Sequence, residues 1–371
     1  MAVAVVCASS LQLIHCLNYL LEHFDGEDVD LFMINQFSGA EELRNKILKT
    51  GIFRQVYLIA DRRKDGLNAF QKLREYWIER FCERLALSRW VGGGFDINKK
   101  DYTSVVGSGF PTFFLIMAKY LQDKRGIRAV LIEDGLGSYL NRGLYGKKNL
   151  AGRILSPIFE LKAESLDAQA LYVNSPELSS SAIAPLRPLS KSAYKEGGQL
   201  NHIIDDLFEA SAENYRGKKV IYFNQPLELY GLISSDNVEA VVVENIRCIF
   251  ESEAIAVKIH QRVNAVPSYF PRELVIGDRN PWELTCAKID AESMILISPC
   301  SAALFTPFMM YGKETRIILT YKLYGGELRI PPDMEEFIGK VKGLYPDGGY
   351  ISIPNDMDEF TRALRKFETL N

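Results

Sequence analysis

The chain is poor in the residues that mark several common chemistries. Of its 371 residues only six are cysteine and four are histidine. The cysteines (Cys7, Cys16, Cys82, Cys248, Cys286 and Cys300) are scattered and form no Cys-x-x-Cys pair. That pattern excludes a disulfide framework and a zinc-ligand spacing, and it suits reduced, buried thiols. His15, His23, His202 and His260 are too few and too dispersed for a metal cluster, so no metal cofactor is expected. Positive charge is not in excess either. Against 44 Lys and Arg stand 47 Asp and Glu, a net charge of −3, and nucleic acid is not an expected partner. No apolar run approaches the ~18 residues of a membrane-spanning helix. The N-terminus lacks a basic region followed by an apolar core, so no signal peptide is expected. The expected location is the cytoplasm, with peripheral docking on the inner membrane surface left open. A Walker-type glycine loop, an internal repeat and low-complexity tracts are also missing; Gly107-Ser108-Gly109 is too short for a nucleotide fingerprint. One basic run, Arg142, Lys147, Lys148 and Arg153, reads as a solvated loop that an anionic partner can also meet.

What is present is a long alternation of apolar runs with helical spacing. The length exceeds what a single core supports, which implies two domains. Ala2–Ala8 reads as a strand, and Ser9 or Ser10 caps a helix carrying Leu11, Ile14, Leu17, Leu20 and Leu21. Strands are expected at Asp30–Ile34, Gln55–Ile59 and Ala129–Glu133, with a short one at Arg89–Gly92. Helices are expected over Ala40–Lys49, Asn68–Leu87 and Phe110–Lys124. From Ser175 to Gly198 the sequence turns to Ser, Pro and Ala, and the interdomain connection is expected here or slightly beyond. A second series follows: Val220–Phe223, the short apolar segment Ala240–Val243, Ile255–Lys258, Glu273–Ile276, Ser293–Ser298 and Arg316–Leu319. Asp356–Lys366 reads as a charged amphipathic helix. Two consecutive Rossmann-like halves are the organisation of GT-B proteins, though other two-domain α/β proteins share it.

Four motifs carry candidate chemistry. The strand Ala129–Ile132 ends in Glu133-Asp134-Gly135-Leu136-Gly137, delivering two acids and a flexible turn to a strand end, where open α/β sheets bind ligands. One carboxylate can serve as general base, and alternation sends only one of the two toward a given face. The plain alternative is a helix cap or an Asx turn. Ile255–Val257 leads into Lys258-Ile259-His260, two cationic donors suited to a departing phosphate; a histidine with a structural partner is the alternative. Ser298-Pro299-Cys300-Ser301-Ala302-Ala303 follows a strand and can form an anion nest, or merely an N-cap. In Asn280-Pro281-Trp282-Glu283-Leu284, Glu283 can accept from ribose hydroxyls, or the segment simply starts a helix with Pro in its first turn.

Taken in order, the acidic-Gly motif, Lys-x-His, Pro-Trp-Glu-Leu and the serine-bearing strand end resemble the bacterial sialyltransferases and polysialyltransferases of GT-B fold. The opening Ala8-Ser9-Ser10-Leu11-Gln12-Leu13 is similar to their first strand-to-helix turn. The likeness runs from residue 3 to about 305. It implies that Glu133 or Asp134 is the base and that His260 acts on the leaving phosphate of a CMP-sugar. It also implies that Ser298 and Ser301 hold that phosphate and Glu283 the ribose, with no metal required. Lys258 and Gly135 belong to the same donor-binding set. The chain departs from the pattern at Gln261, where the family has proline, and in the separated serines. Glu228, after the first strand of the second half, is a reserve base.

The expectation is therefore an α/β chain of GT-B type, two Rossmann-like domains facing a central cleft. Residues 1–190 form the acceptor-side domain with the base, and 191–371 form the nucleotide-sugar domain, with room for the last helix to cross back. Acceptor loops are sought at Trp90–Asp101 and Val105–Thr112. The function implied is an inverting glycosyltransferase that moves sialic acid, or a related acidic sugar, from a CMP-activated donor to a hydroxyl of a capsule or lipooligosaccharide glycan or glycolipid. The alternatives are a GT-B-like transferase or epimerase using a UDP- or GDP-sugar, and a catalytically degenerate glycan-binding subunit.

Overall fold

The computed structural model describes the chain except residues 1, 25, 36–38, 61–67, 141–165, 195–196, 209–211, 228–230, 234–236, 261–262, 264, 278–279, 329, 331, 346–347 and 371. The chain divides into two compact units, residues 1–208 and 209–371.

The first unit is built on seven strands: β1 (Ala2–Cys7), β2 (Asp28–Asn35), β3 (Gln55–Ala60), β4 (Tyr102–Ser108), β5 (Ala129–Ile132), β6 (Ala168–Val173) and β7 (Leu186–Pro188). They lie in the order β3-β2-β1-β4-β5-β6-β7, all pairings parallel. The Ala-Val-Ala-Val-Val-Cys run of β1 is buried at every position, as a central parallel strand covered on both faces must be. The Ser9 side chain then accepts from the Gln12 backbone N–H and starts helix Ser10–His23. The sheet progresses outward in both directions from β1 and β4, so the topological switch lies between those two strands.

The second unit has β8 (Val220–Phe223), β9 (Ile255–Lys258), β10 (Ile295–Ser298), β11 (Arg316–Leu319) and β12 (Ile351–Ser352). Their order is β12-β11-β10-β8-β9, again parallel throughout. Its switch lies between β8 and β10. Val220, Tyr222, Ile255, Val257, Ile295, Ile297 and Ile318 form one side of its core.

The structure corrects several expectations. The Asn68–Leu87 helix is two helices, Ala69–Phe81 and Glu83–Val91, broken at Cys82. Residues 89–92, expected to be a strand, are the last turn of the second helix and its Gly92 cap. Aromatic and β-branched residues there suggested a strand, but tertiary packing overrode that local preference. Val105–Thr112 is not a loop throughout: Tyr102–Ser108 is β4, at the centre of the sheet, with Val105 and Val106 buried. Its Thr, Ser and Gly residues diluted the apolar run that would have announced it. The supposed connection from Ser175 to Gly198 contains β7, an edge strand that tolerates Pro188. The boundary falls after Phe208 rather than at 190, because helix Gln199–Phe208 buries Leu200, Ile204 and Leu207 and packs against helices Ser10–His23 and Ala40–Lys49. Ala240–Val243 lies inside helix Asn237–Arg247. In the last helix, Met357–Thr369, Phe360, Leu364 and Phe367 enter the core of the second unit.

All six cysteines are free, and Cys7, Cys16, Cys286 and Cys300 are buried. Burial pushes the Cys7 thiol up to about 12, which makes it a packing group rather than a nucleophile.

Candidate functional site

In the first unit the carboxyl ends of β1, β4, β5 and β6 converge on Glu133 and Asp134. The adjacent acids have opposite environments, as strand alternation requires. Asp134 is exposed, and its Oδ1 accepts from Gln12 Nε2 at 3.2 Å. The Gln12 side chain is itself fixed, because its Oε1 accepts from the Ala8 backbone N–H at 2.5 Å. The Asp134 backbone N–H donates to Ser138 Oγ at 2.8 Å. Beneath Asp134 lies Gly109, at φ +68, where an added Cβ would collide with Asp134 Oδ2. A solvent-facing carboxylate thus receives the Gln12 amide over a bare backbone, a geometry in which an acid can accept a substrate proton.

Glu133 is buried, 3% exposed, and is spent on structure. Its Oε2 accepts from Tyr139 Oη (2.7 Å), the Asn174 backbone N–H (2.6 Å) and Asn174 Nδ2 (2.9 Å). Burial, then the Glu133 charge and hydrogen bond, drive the Tyr139 hydroxyl well above its ordinary range, so it remains a donor. The Glu133 carbonyl accepts from Ser108 Oγ (2.6 Å) and pairs with His15 Nδ1 (3.1 Å), while His15 Nε2 faces Asn174 Nδ2 (3.2 Å). A neutral imidazole protonated on Nδ1 satisfies both of its partners. Of the two acids expected as base, Asp134 is the exposed one and Glu133 the buried one. Gly135 sits at φ +83 and ψ −148, a conformation glycine alone adopts readily, so its visible work is to turn the chain after the acids.

In the second unit the expected residues gather along the carboxyl edge of β8, β9 and β10. Lys258, the last residue of β9, donates from Nζ to the Asn280 carbonyl at 3.0 Å and lies 5.9 Å from the Tyr215 ring centroid. His260 is half-buried just beyond, and its carbonyl accepts from the Val263 N–H at 2.9 Å. Gln261 and the reserve acid Glu228 lie outside the described residues, as do Arg142, Lys147, Lys148 and Arg153. Glu283 is half-buried in the one-turn helix Trp282–Thr285, and its carbonyl accepts from Tyr311 Oη at 2.8 Å.

The two serines differ. Ser298 is fully buried, and its Oγ donates to the Phe223 carbonyl at 2.9 Å. That bond ties β10 to β8 across the switch and commits the proton a phosphate would need, which removes Ser298 from the expected phosphate set. Ser301 Oγ accepts from the Ala303 N–H at 3.2 Å and caps the turn Ala302–Leu304. Capping uses the oxygen as acceptor and leaves its O–H able to donate.

Sequence reasoning missed the groups that assemble these ends. Trp282 Nε1 donates to the Ala303 carbonyl at 2.8 Å, and its ring packs edge-on against Phe223 with centroids 4.9 Å apart. The Pro-Trp-Glu-Leu and serine segments are therefore one interlocked structure. Glu239, fully buried, accepts from Tyr222 Oη, Tyr269 Oη, Asn224 Nδ2 and the Gln225 N–H. It fixes the end of β8 much as Glu133 fixes the ends of β5 and β6. The signal that was available is common to both: an Asn directly after a buried strand, Asn174 after β6 and Asn224 after β8.

No protein-family profile matches the chain, and no curated protein matches it significantly. Among solved structures it is similar to TcCGT1 in complex with UDP, at 12% identity and a TM-score of 0.54, over 98% of this chain and 90% of that one. LpCGTa in complex with UDP aligns at 11% identity and a TM-score of 0.52, over 99% and 90% of the two chains. The Medicago truncatula protein UGT71G1 complexed with UDP-glucose aligns at 12% identity and a TM-score of 0.50, over 99% and 89%. The likeness is one of fold. The chain has the GT-B fold, two Rossmann-like α/β units in succession. Among the described residues no helix is long and apolar enough to cross a membrane.

Proposed function

We propose that this chain is a glycosyltransferase that moves a sugar from a nucleotide-activated donor to a hydroxyl of a glycan or glycolipid. The observation that carries this reading is Asp134, an exposed carboxylate aimed by Gln12 at the switch point of a GT-B sheet. Asp134 takes the acceptor hydroxyl proton as its oxygen attacks the anomeric carbon. The bond from that carbon to the donor phosphate breaks, and the electron pair leaves with the nucleotide. His260 donates to the departing phosphate oxygen, while Lys258 and the Ser301 hydroxyl add positive and neutral donors. Glu283 is assigned to the ribose. One base on the acceptor and one donor on the leaving group serve direct displacement, so the product is inverted at the anomeric carbon. No metal ion is assigned a part.

For the donor, a UDP-sugar is the first reading. The compared structures of like fold hold UDP or UDP-glucose. A CMP-activated sialic acid is the second, supported by the order of the four motifs and by the pairing of Lys258 with His260 after one strand, which suits a single phosphate. The deciding experiment incubates purified protein with UDP-glucose or CMP-sialic acid, in EDTA, with and without a galactoside acceptor. Acceptor-stimulated release of UDP supports the first donor, and release of CMP the second. Release that requires added divalent cation removes the metal-free mechanism. His260→Ala is expected to lower turnover roughly 10²–10⁴-fold; undiminished turnover removes its assigned role. Glycan binding without release from any nucleotide sugar replaces the enzyme reading with a binding subunit.

A further inference from the structure

The helix Ala69–Phe81 is packed inside out. From Phe70 to Phe81 its one buried side chain is Glu79, while Phe70 is 77% exposed, Trp77 52% and Phe81 56%. Leu73 and, in the next helix, Leu85 are also exposed, at 40% and 51%. The intervals 70, 73, 77, 81 are those of a single helical face. The rings of Trp77 and Phe81 lie against each other with centroids 5.9 Å apart. Solvent normally faces a helix's charges, and a contiguous apolar face left outside marks an interaction surface.

The charges that border this stripe on its own helix are arginines. By helical angle Arg74 flanks it on one side and Arg80 on the other; the Arg74 side chain is 59% exposed while it bridges Glu75, and Arg84 is paired with Asp96. On the stripe's own helix the acids are drawn away: Glu79 is buried, and the Glu75 side chain, 15% exposed, is bridged by Arg74 and Arg89. Aromatic and leucine side chains on one face with arginines at its borders are the composition of an interfacial helix, which sinks about 5–10 Å into the headgroup boundary of an anionic bilayer. A second protein copy is the poorer fit. A stable protein interface engages roughly 20–30 residues a side, whereas the stripe offers five apolar side chains.

We propose that this face, Phe70, Leu73, Trp77, Phe81 and Leu85 with Arg74 and Arg80 at its edges, docks the protein on an anionic membrane surface. The docking rests on exposure and charge and is independent of the donor chemistry above.

The test is co-sedimentation of the full chain with phosphatidylcholine vesicles, with and without phosphatidylglycerol. The wild-type protein is expected to pellet with the anionic vesicles, to be released by salt, and to stay in solution with the neutral ones. Trp77→Ser with Phe81→Ser, both at exposed positions, is expected to weaken partitioning by about 10²-fold, the loss of two buried aromatic side chains. Arg74→Glu with Arg80→Glu is expected to abolish the preference for anionic lipid. Transfer to a soluble acceptor is expected to be unchanged in both variants, which separates failure of docking from failure of catalysis. Failure of the wild type to bind either vesicle overturns the proposal. So does equal binding by the serine variant, or a wild-type dimer in solution that this variant dissolves.

Discussion

Gln12 and Asp134, 122 positions apart in the chain, meet through a 3.2 Å hydrogen bond from Nε2 to Oδ1. The other end of the same amide is pinned to the Ala8 N–H. The strand-to-helix turn that opens the chain thus aims the carboxylate that ends β5. Asp134→Asn keeps the shape and removes the base, and turnover is expected to fall roughly 10²–10⁴-fold with unfolding unchanged. Gln12→Ala removes one hydrogen bond to a charged group and is expected to cost about tenfold in kcat. Steady-state kinetics and thermal melts check both; full activity in Asp134→Asn removes it as base.

Glu133 is expected to behave in the opposite way. Glu133→Ala leaves the Tyr139 hydroxyl and two Asn174 donors without their acceptor. Each buried orphan costs about 1–3 kcal/mol, so a loss of ~3 kcal/mol or more is expected in urea unfolding. Activity is expected to fall only in proportion to the folded fraction. A stable, inactive variant would transfer the base assignment from Asp134 to Glu133.

Much of this arrangement was legible in the sequence, and the limits have physical causes. Strands that are apolar at every position, such as β1 and β8, announce themselves, because a central parallel strand leaves no face for water. The acidic turn after β5 was legible as a strand end, because the apolar run Ala129–Ile132 stops at two carboxylates and a glycine. β4 was hidden because Gly107 and Ser108 occupy its functional end. Phe114 packs so closely over Gly107 that no Cβ fits there, and Ser108 bonds the Glu133 carbonyl. Ser298 was misread for a related reason: a hydroxyl at a strand end looks the same in sequence whether it faces a ligand or the Phe223 carbonyl. The partition of Glu133 inward and Asp134 outward followed from alternation, but which one faced inward needed Tyr139 and Asn174, partners set by tertiary packing.

Away from the site, Asp30 makes the first unit sensitive to acid. Its carboxylate, fully buried, accepts from Arg54 Nε and Nη2, Lys100 Nζ and Tyr102 Oη. Burial alone would raise its pKa; the bonds from Arg54 and Tyr102 and the nearby cations outweigh that and hold it below the usual carboxylate range. A depressed folded value adds stability above the unfolded pKa, near 3.9, which is lost as pH falls through the folded value. Asp30→Asn is expected to cost about 1.5–3 kcal/mol at neutral pH. The gap to wild type is expected to narrow as urea titrations are taken below about pH 4. A gap independent of pH would show that shape rather than charge holds this corner.

Gly109 offers the sharpest separation of position from chemistry. At φ +68 it holds a conformation unfavourable to side chains, and a Cβ there would strike Asp134 Oδ2 and press on Gln12 Nε2. Gly109→Ala changes no ionisable group, yet it must push the carboxylate off its seat. Displacement of a reacting group by ~1 Å can cost on the order of 10²-fold, so kcat is expected to fall by that order while KM for the donor holds. Gly137 is the control: it lies in the turn Leu136–Ser138 just after Asp134, at an ordinary φ, with open space where a Cβ would go. Gly137→Ala is expected to be neutral. If both alanine variants turn over at the wild-type rate, the Asp134 carboxylate does not need its observed seat, and the base must be sought among other groups.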